Sequence, residues 1–145
     1  MHPLLTKYSS LLTRPFGVDI AMAALRIVFG ALLIYHGSLK VFESFGKMAE
    51  ELANRGWPMP YFQAFAATYI EFAGGVLLIV GLFTRPVALA VSVLFTIITF
   101  VFQAGDPFMK QEKPLMFLLV ALILFFTGPG RYSIDNILFR KQPAS

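Results

Sequence analysis

Residues 20–42 read IAMAALRIVFGALLIYHGSLKVF, and this run decides the fold. Wound as a helix at 1.5 Å per residue, it reaches roughly 34 Å, more than the ~30 Å of hydrocarbon in a bilayer. Three ionisable side chains, Arg26, His36 and Lys40, interrupt it. At 100° per residue they fall within about 80° of one another, so one face of the helix is polar and the rest is oil. Gly30 and Gly37 lie on the same face and permit another helix to approach closely. That face is expected to point into a bundle, and the remainder to meet lipid.

The whole chain has the same character. Of its 145 residues, 57% are hydrophobic and only 14% charged, against about a quarter charged in an ordinary soluble domain. The mean hydropathy is +0.72. A water-soluble body of this size could not hide so much apolar surface. The chain has no cysteine, which removes thiol catalysis, dithiol exchange, iron–sulfur ligation and thiolate metal sites. The formal charge of +4 comes without a basic run, so it reads as membrane orientation and lipid contact and not as nucleic-acid binding. The mixed segment before residue 20 does not read as a signal peptide, and the first apolar run is expected to be retained.

Three more spans are expected, at about 63–83, 86–103 and 110–127. The second carries a single charge, Glu71; the third carries none. The β-branched residues of the third are ordinary helix residues in lipid, where every backbone group must bond internally. Thr84-Arg85-Pro86 reverses the chain between them, with Pro86 suited to the first helical position. The fourth is clearly apolar only from Pro114, with extension upstream towards Met109, and Gly128-Pro129-Gly130 ends it. The expected fold is therefore all-α: an integral membrane four-helix bundle of up-down topology, with an amino-terminal segment 1–19, a four-span domain 20–138 and a tail 139–145.

The connections carry signals of their own. Phe45, Met48, Ala49 and Leu52 fall at helical spacing opposite Lys47, Glu50, Glu51 and Arg55, which reads as a short amphipathic interfacial helix closed by Gly56. Trp57 to Tyr61 follow as an interfacial anchor. Ser133 is placed to cap a last amphipathic turn bearing Ile134, Ile137 and Leu138. Lys7, Arg14, Arg85, Arg131, Arg140 and Lys141 fall on one side of the expected membrane, and Lys40, Lys47, Arg55, Lys110 and Lys113 on the other. The first side takes the cytoplasm, with both termini inside.

An ion at the centre of a membrane helix costs on the order of 2.5–3.5 kcal/mol and needs a partner. His36 and Glu71 both lie roughly 9–12 Å from the outer ends of their spans. Gln63, Gln103, Glu112 and Lys113 fall near that end too, so one outward polar cavity could collect them all. In one reading Glu71 merely pairs with His36 or Lys40 to neutralise the bundle. In the other, Glu71 and His36 handle a proton or hydrogen-bond a quinone-like or other small ligand. Arg26 stands apart; it either bonds headgroups and helix carbonyls or helps bind an anion. The candidate binding set is Arg26, His36, Lys40, Glu71 and Gln103. One membrane histidine and one carboxylate are too few for a metal site.

Several of these pieces resemble the DoxX family of small four-helix membrane proteins. They are Leu25-Arg26-Ile27 with Gly30; His36-Gly37-Ser38-Leu39-Lys40; Glu71-Phe72-Ala73-Gly74-Gly75; Gly81-Leu82-Phe83-Thr84-Arg85; and Gly128-Pro129-Gly130-Arg131-Tyr132-Ser133-Ile134-Asp135. The resemblance spans about residues 20–138. It implies a bacterial inner-membrane protein that partners quinone-linked oxidoreductases or redox-stress enzymes, as an accessory subunit and not a self-sufficient enzyme. With no intrinsic cofactor, a bound quinone or a redox partner would supply the electrons. A proton-coupled small-molecule carrier and a non-catalytic assembly or receptor protein are the alternatives, and a homo-oligomer stays open.

Overall fold

The computed structural model describes residues 17–140, and the regular structure among them is helical throughout. The expectations about the first 16 residues, including Lys7 and Arg14, and about Lys141 and the tail beyond it lie outside the described residues. Helix α1 runs Val18–Leu39 and passes through a π-helical turn, Lys40–Ser44, directly into α2, Phe45–Asn54. Helix α3 is Pro60–Val80 and α4 is Thr84–Ile97, the latter extended by a second π-helical turn, Ile98–Phe102. Helix α5 is Phe108–Thr127, and α6 is the short Ile134–Phe139.

Three stretches are long and apolar enough to cross a bilayer: Val18–Asn54, Pro60–Val80 and Thr84–Phe102. Helix α5, at 20 residues, is as long as these spans require, but its first two turns hold Lys110, Glu112 and Lys113. Pro114 lies inside α5, not at its start, and leaves the Lys110 carbonyl without its i+4 partner. Pro86 is the third residue of α4, not the first. Its missing N–H is still harmless there, since the first turn has no intrahelical acceptors. Large apolar side chains stay exposed along these stretches, among them Val28, Val93, Val101 and Phe126, a surface that suits lipid.

Helices α1 and α3 touch backbone to backbone. A Cβ on Gly30 would lie 2.6 Å from the Gly75 carbonyl oxygen, and one on Gly75 would lie 2.6 Å from that of Gly30. About two turns further along α1, a Cβ on Gly37 would meet the Phe72 nitrogen at 2.7 Å. Because position in α1 rises as position in α3 falls, the pair is antiparallel. Such contact needs residues with no side chain, and it replaces the hydrophobic drive that lipid cannot supply. Helices α4 and α5 also run antiparallel, with Phe95 stacked on Phe117 (centroids 5.0 Å apart) and Arg85 beside Gly128. Phe29, Leu33, Leu78, Val91, Leu118 and Leu124 fill the space between the two pairs.

Helix α2 buries Ala49 and Leu52 against Ala64 of α3, with Phe45, Met48, Trp57 and Phe102 around them. The amphipathic face read from the sequence is thus a packing face.

Replacing Gly30 by Ala should force α1 and α3 apart. It should cost about 1–3 kcal/mol, as overpacking does. Gly46→Ala is the control: nothing lies within 4 Å of its added Cβ, and it should be neutral or slightly stabilising. Denaturation of the two variants by titrating detergent measures the difference; equal midpoints would mean the close contact carries no weight.

Candidate functional site

Antiparallel packing of α1 and α3 sets Lys40 against Glu71. The Lys40 ammonium donates to Glu71 Oε1 at 2.5 Å. Glu71 is 1% exposed and Lys40 25%, so the carboxylate is sunk in the protein while its partner reaches towards the rim. Glu71 Oε2 is buried and has no hydrogen-bond partner among the described residues. One oxygen of the carboxylate is therefore neutralised and the other is left without a donor.

Glu71 also lines a cavity of about 160 Å³. His36, Lys40, Glu71, Gln103 and Lys113 supply its polar wall; Phe95, Ile98, Pro114 and Phe117 supply the apolar one. A second buried acceptor, Gln103 Oε1, is also unpartnered. His36 packs edge-on against Phe117 (centroids 5.6 Å) and Tyr35, and no hydrogen bond joins it to Glu71. The imidazole and the carboxylate share a chamber without touching, because Lys40 occupies the place closest to Glu71.

The helices are widened where they meet this chamber. Lys40 opens the first π-helical turn; Ile98 opens the second, and Gln103 closes it with its N–H bonded to the Ile98 carbonyl at 2.9 Å. A π-turn inserts an extra residue into the helical ladder, and such turns recur at functional sites. Here both re-aim a cavity residue. Nothing in an apolar sequence announces a π-turn, so this feature could not be read in advance.

Of the residues singled out from the sequence, His36, Lys40, Glu71 and Gln103 come together, joined by Lys113. Gln63 does not; its amide donates to the Pro58 carbonyl instead. Glu112 is exposed and outside the cavity wall. Arg26 does not line the cavity either. It sits at the opposite end of α1, buried, with its guanidinium donating to the carbonyls of Pro129 and Tyr132. Of the two roles the sequence allowed it, the structure displays bonding to main-chain carbonyls.

Arg26 is part of a tight joint. A Cβ on Gly81, which has φ +72°, would lie 2.7 Å from Arg26 Nη1 and 2.6 Å from Ser133 Cβ, so only glycine fits. The Asp135 N–H donates to the Gly81 carbonyl at 2.9 Å. Asp135 in turn accepts from the N–H groups of Phe83 and Thr84, both at 2.8 Å, and so caps the start of α4 from a distant segment. Ser133 caps α6 by accepting from the Asn136 N–H. Among the described residues no group of three His, Asp or Glu side chains is placed to hold a metal ion.

Comparison with known proteins agrees with this layout. A family model described as DoxX matches residues 21–104. The chain is 34% identical to an "Uncharacterized protein" of Haemophilus influenzae, over 83% of this chain and 92% of that one. It is 31% identical to the Bacillus subtilis protein named "Putative oxidoreductase CatD", over 84% of this chain and 90% of that one. It is 30% identical to "Inner membrane protein YqjF" of Escherichia coli, over 85% and 95%. No solved structure matches it significantly. The match covers more than half of the chain and the relatives cover most of it: this membrane protein belongs to the DoxX family.

Proposed function

We propose that the chain is a four-span, up-down protein of the bacterial inner membrane that holds a quinol-type ring in the Glu71 cavity on behalf of a redox partner. The observation that carries this reading is that two residues of one cavity wall, Glu71 and Gln103, each keep a buried acceptor without a partner, Oε2 and Oε1. A buried acceptor left unsatisfied costs about 1–3 kcal/mol, so each calls for a donor. Two hydroxyl groups on one ring answer both.

Size supports the same ligand class. A cavity of about 150 Å³ takes a benzene ring, and this one is about 160 Å³. It accommodates one six-membered ring against Phe95, Ile98 and Phe117, and any tail must leave into the lipid. A quinol supplies two electrons and two protons when bound. Glu71 and His36 are the side chains set to take up a proton, and the partner's redox group receives the electrons. The relatives bear on the setting: one is named for an inner membrane and one for an oxidoreductase.

Orientation follows from charge. Arg85, Arg131 and Arg140 gather at the end away from the cavity, and in sequence Lys7, Arg14 and Lys141 add to that side. We assign that end to the cytoplasm, which leaves the cavity open towards the outer face. Helix α5 completes the four spans, with Lys110 and Lys113 snorkelling at the outer surface.

Calorimetric titration of the purified protein with a short-chain ubiquinol tests the reading. Gln103→Leu removes one acceptor without disturbing the ion pair and should weaken binding about tenfold, while Gln63→Leu, outside the cavity, should not. The reduced ligand should bind more tightly than the oxidised one, since the orphaned groups accept and a quinone cannot donate. Absent binding, or equal affinity in both variants, overturns the proposal.

A second measurement separates structure from chemistry. Lys40→Met strands Glu71 in the interior and should cost about 3–5 kcal/mol, less whatever the carboxylate recovers by keeping its proton. Adding Glu71→Gln to that variant should recover most of the loss. If single and double variants unfold alike, the pair is not what keeps Glu71 in place.

A further inference from the structure

At the end opposite the cavity, a groove of about 420 Å³ runs between the start of α4 and α6. Arg85 and Arg140 line it together with Phe83, Pro129, Asp135 and Phe139. We propose that this groove is a binding site for an anionic phospholipid, its phosphate held by the two arginines and its acyl chains laid against Phe83 and Phe139.

Charge is the first argument. Neither Arg85 nor Arg140 forms an ion pair among the described residues; the pairs found there are Lys40–Glu71, Arg55–Glu51 and Lys110–Asp106. Arg131, on the adjoining loop, is likewise unpaired among them. Asp135 is the one carboxylate in the groove, and it is already engaged: each oxygen accepts a backbone N–H at 2.8 Å from the start of α4. Both of its oxygens are therefore spent on the helix terminus, and the guanidinium groups are the charged groups left to meet an anion. Guanidinium presents a planar fork of donors matched to phosphate oxygens.

Position is the second argument. The apolar stretch of α3 stops at Val80 and that of α4 starts at Thr84, so the groove lies at the level where headgroups begin. Helix α6 adds Ile137, Leu138 and Phe139, 78%, 62% and 67% exposed, on the same rim. Basic groups and bare apolar side chains side by side in one groove match the two halves of one lipid. A phosphate without chains would leave the apolar half uncovered, and a zwitterionic headgroup would bring a cation against the arginines.

Native mass spectrometry of the full chain, titrated with phosphatidylglycerol and with phosphatidylcholine of the same acyl length, tests this. Phosphatidylglycerol should be retained in preference. Arg85→Gln and Arg140→Gln should each weaken its binding about fivefold, as loss of one interfacial basic group does. Arg85→Lys, which keeps the charge and loses the fork, should fall between the unaltered chain and Arg85→Gln. Lys47→Gln with Lys110→Gln, which removes two charges at the cavity end, should leave it unchanged, and inorganic phosphate should not displace the lipid. Equal retention of both lipids, an equal loss in the Lys47/Lys110 control, or displacement by phosphate alone overturns the proposal.

Discussion

The rest of the structure hangs on how closely α1 and α3 approach. Lipid is as apolar as a leucine side chain, so two helices in a membrane gain nothing by hiding oil from it; they gain by packing and by polar bonds. Gly30, Gly37 and Gly75 remove the side chains that would hold the helix axes apart, and the backbones meet. Only at that spacing does Lys40 reach Glu71, and only with Lys40 there is a buried carboxylate tolerable. The ion pair is thus a consequence of the glycine contact. Both members of the pair line the cavity, and one carboxylate oxygen is left without a donor.

The motif residues divide into two groups in space. His36, Lys40 and Glu71 line the chamber at one end of the molecule, beside the close contact of Gly37 with Phe72. Arg26, Gly81, Phe83, Thr84 and the segment from Pro129 to Asp135 build a joint at the other. The joint ties α1, the α3–α4 turn and the chain after α5 to one another through main-chain carbonyls and N–H groups. Those groups would otherwise be orphaned at helix ends. It holds α4 and α5 in register against α1, and register is what brings Gln103 and Lys113 opposite Glu71.

Much of this was legible in the sequence, for physical reasons that also set the limits. Apolar length locates the helices of a membrane protein, since no other structure satisfies the backbone there. The glycines of α1 share a face with its charges, and depth put Glu71, His36 and Gln103 at one level. What could not be read is which cation takes the carboxylate. Lys40 and His36 are about 40° apart on one helix, and the choice turned on a π-helical turn that begins at Lys40 and that apolar residues such as Val41 and Phe42 do not signal. Arg26 could not be placed either. Its partners are backbone carbonyls more than a hundred positions away, and a carbonyl carries no mark in the sequence.

Helix α2 shows how far from the cavity its geometry is decided. It was expected to lie passively at the interface, yet it is wired to the second π-turn. The Arg55 guanidinium, just after α2, donates to the Phe102 carbonyl at 2.9 Å and stacks over the Phe102 ring at 4.1 Å. Trp57 meets the same ring edge-on. Phe102 is the neighbour of Gln103, whose own carbonyl accepts from the Gln111 amide of α5 at 2.7 Å. The cavity's second acceptor is therefore held between α2 on one side and the start of α5 on the other. Phe102 is the last residue of its helix, so its carbonyl has no intrahelical donor, and Arg55 is the group that takes it. Phe102 is thus held from α2, and through its neighbour Gln103 that helix is tied to the wall of the chamber.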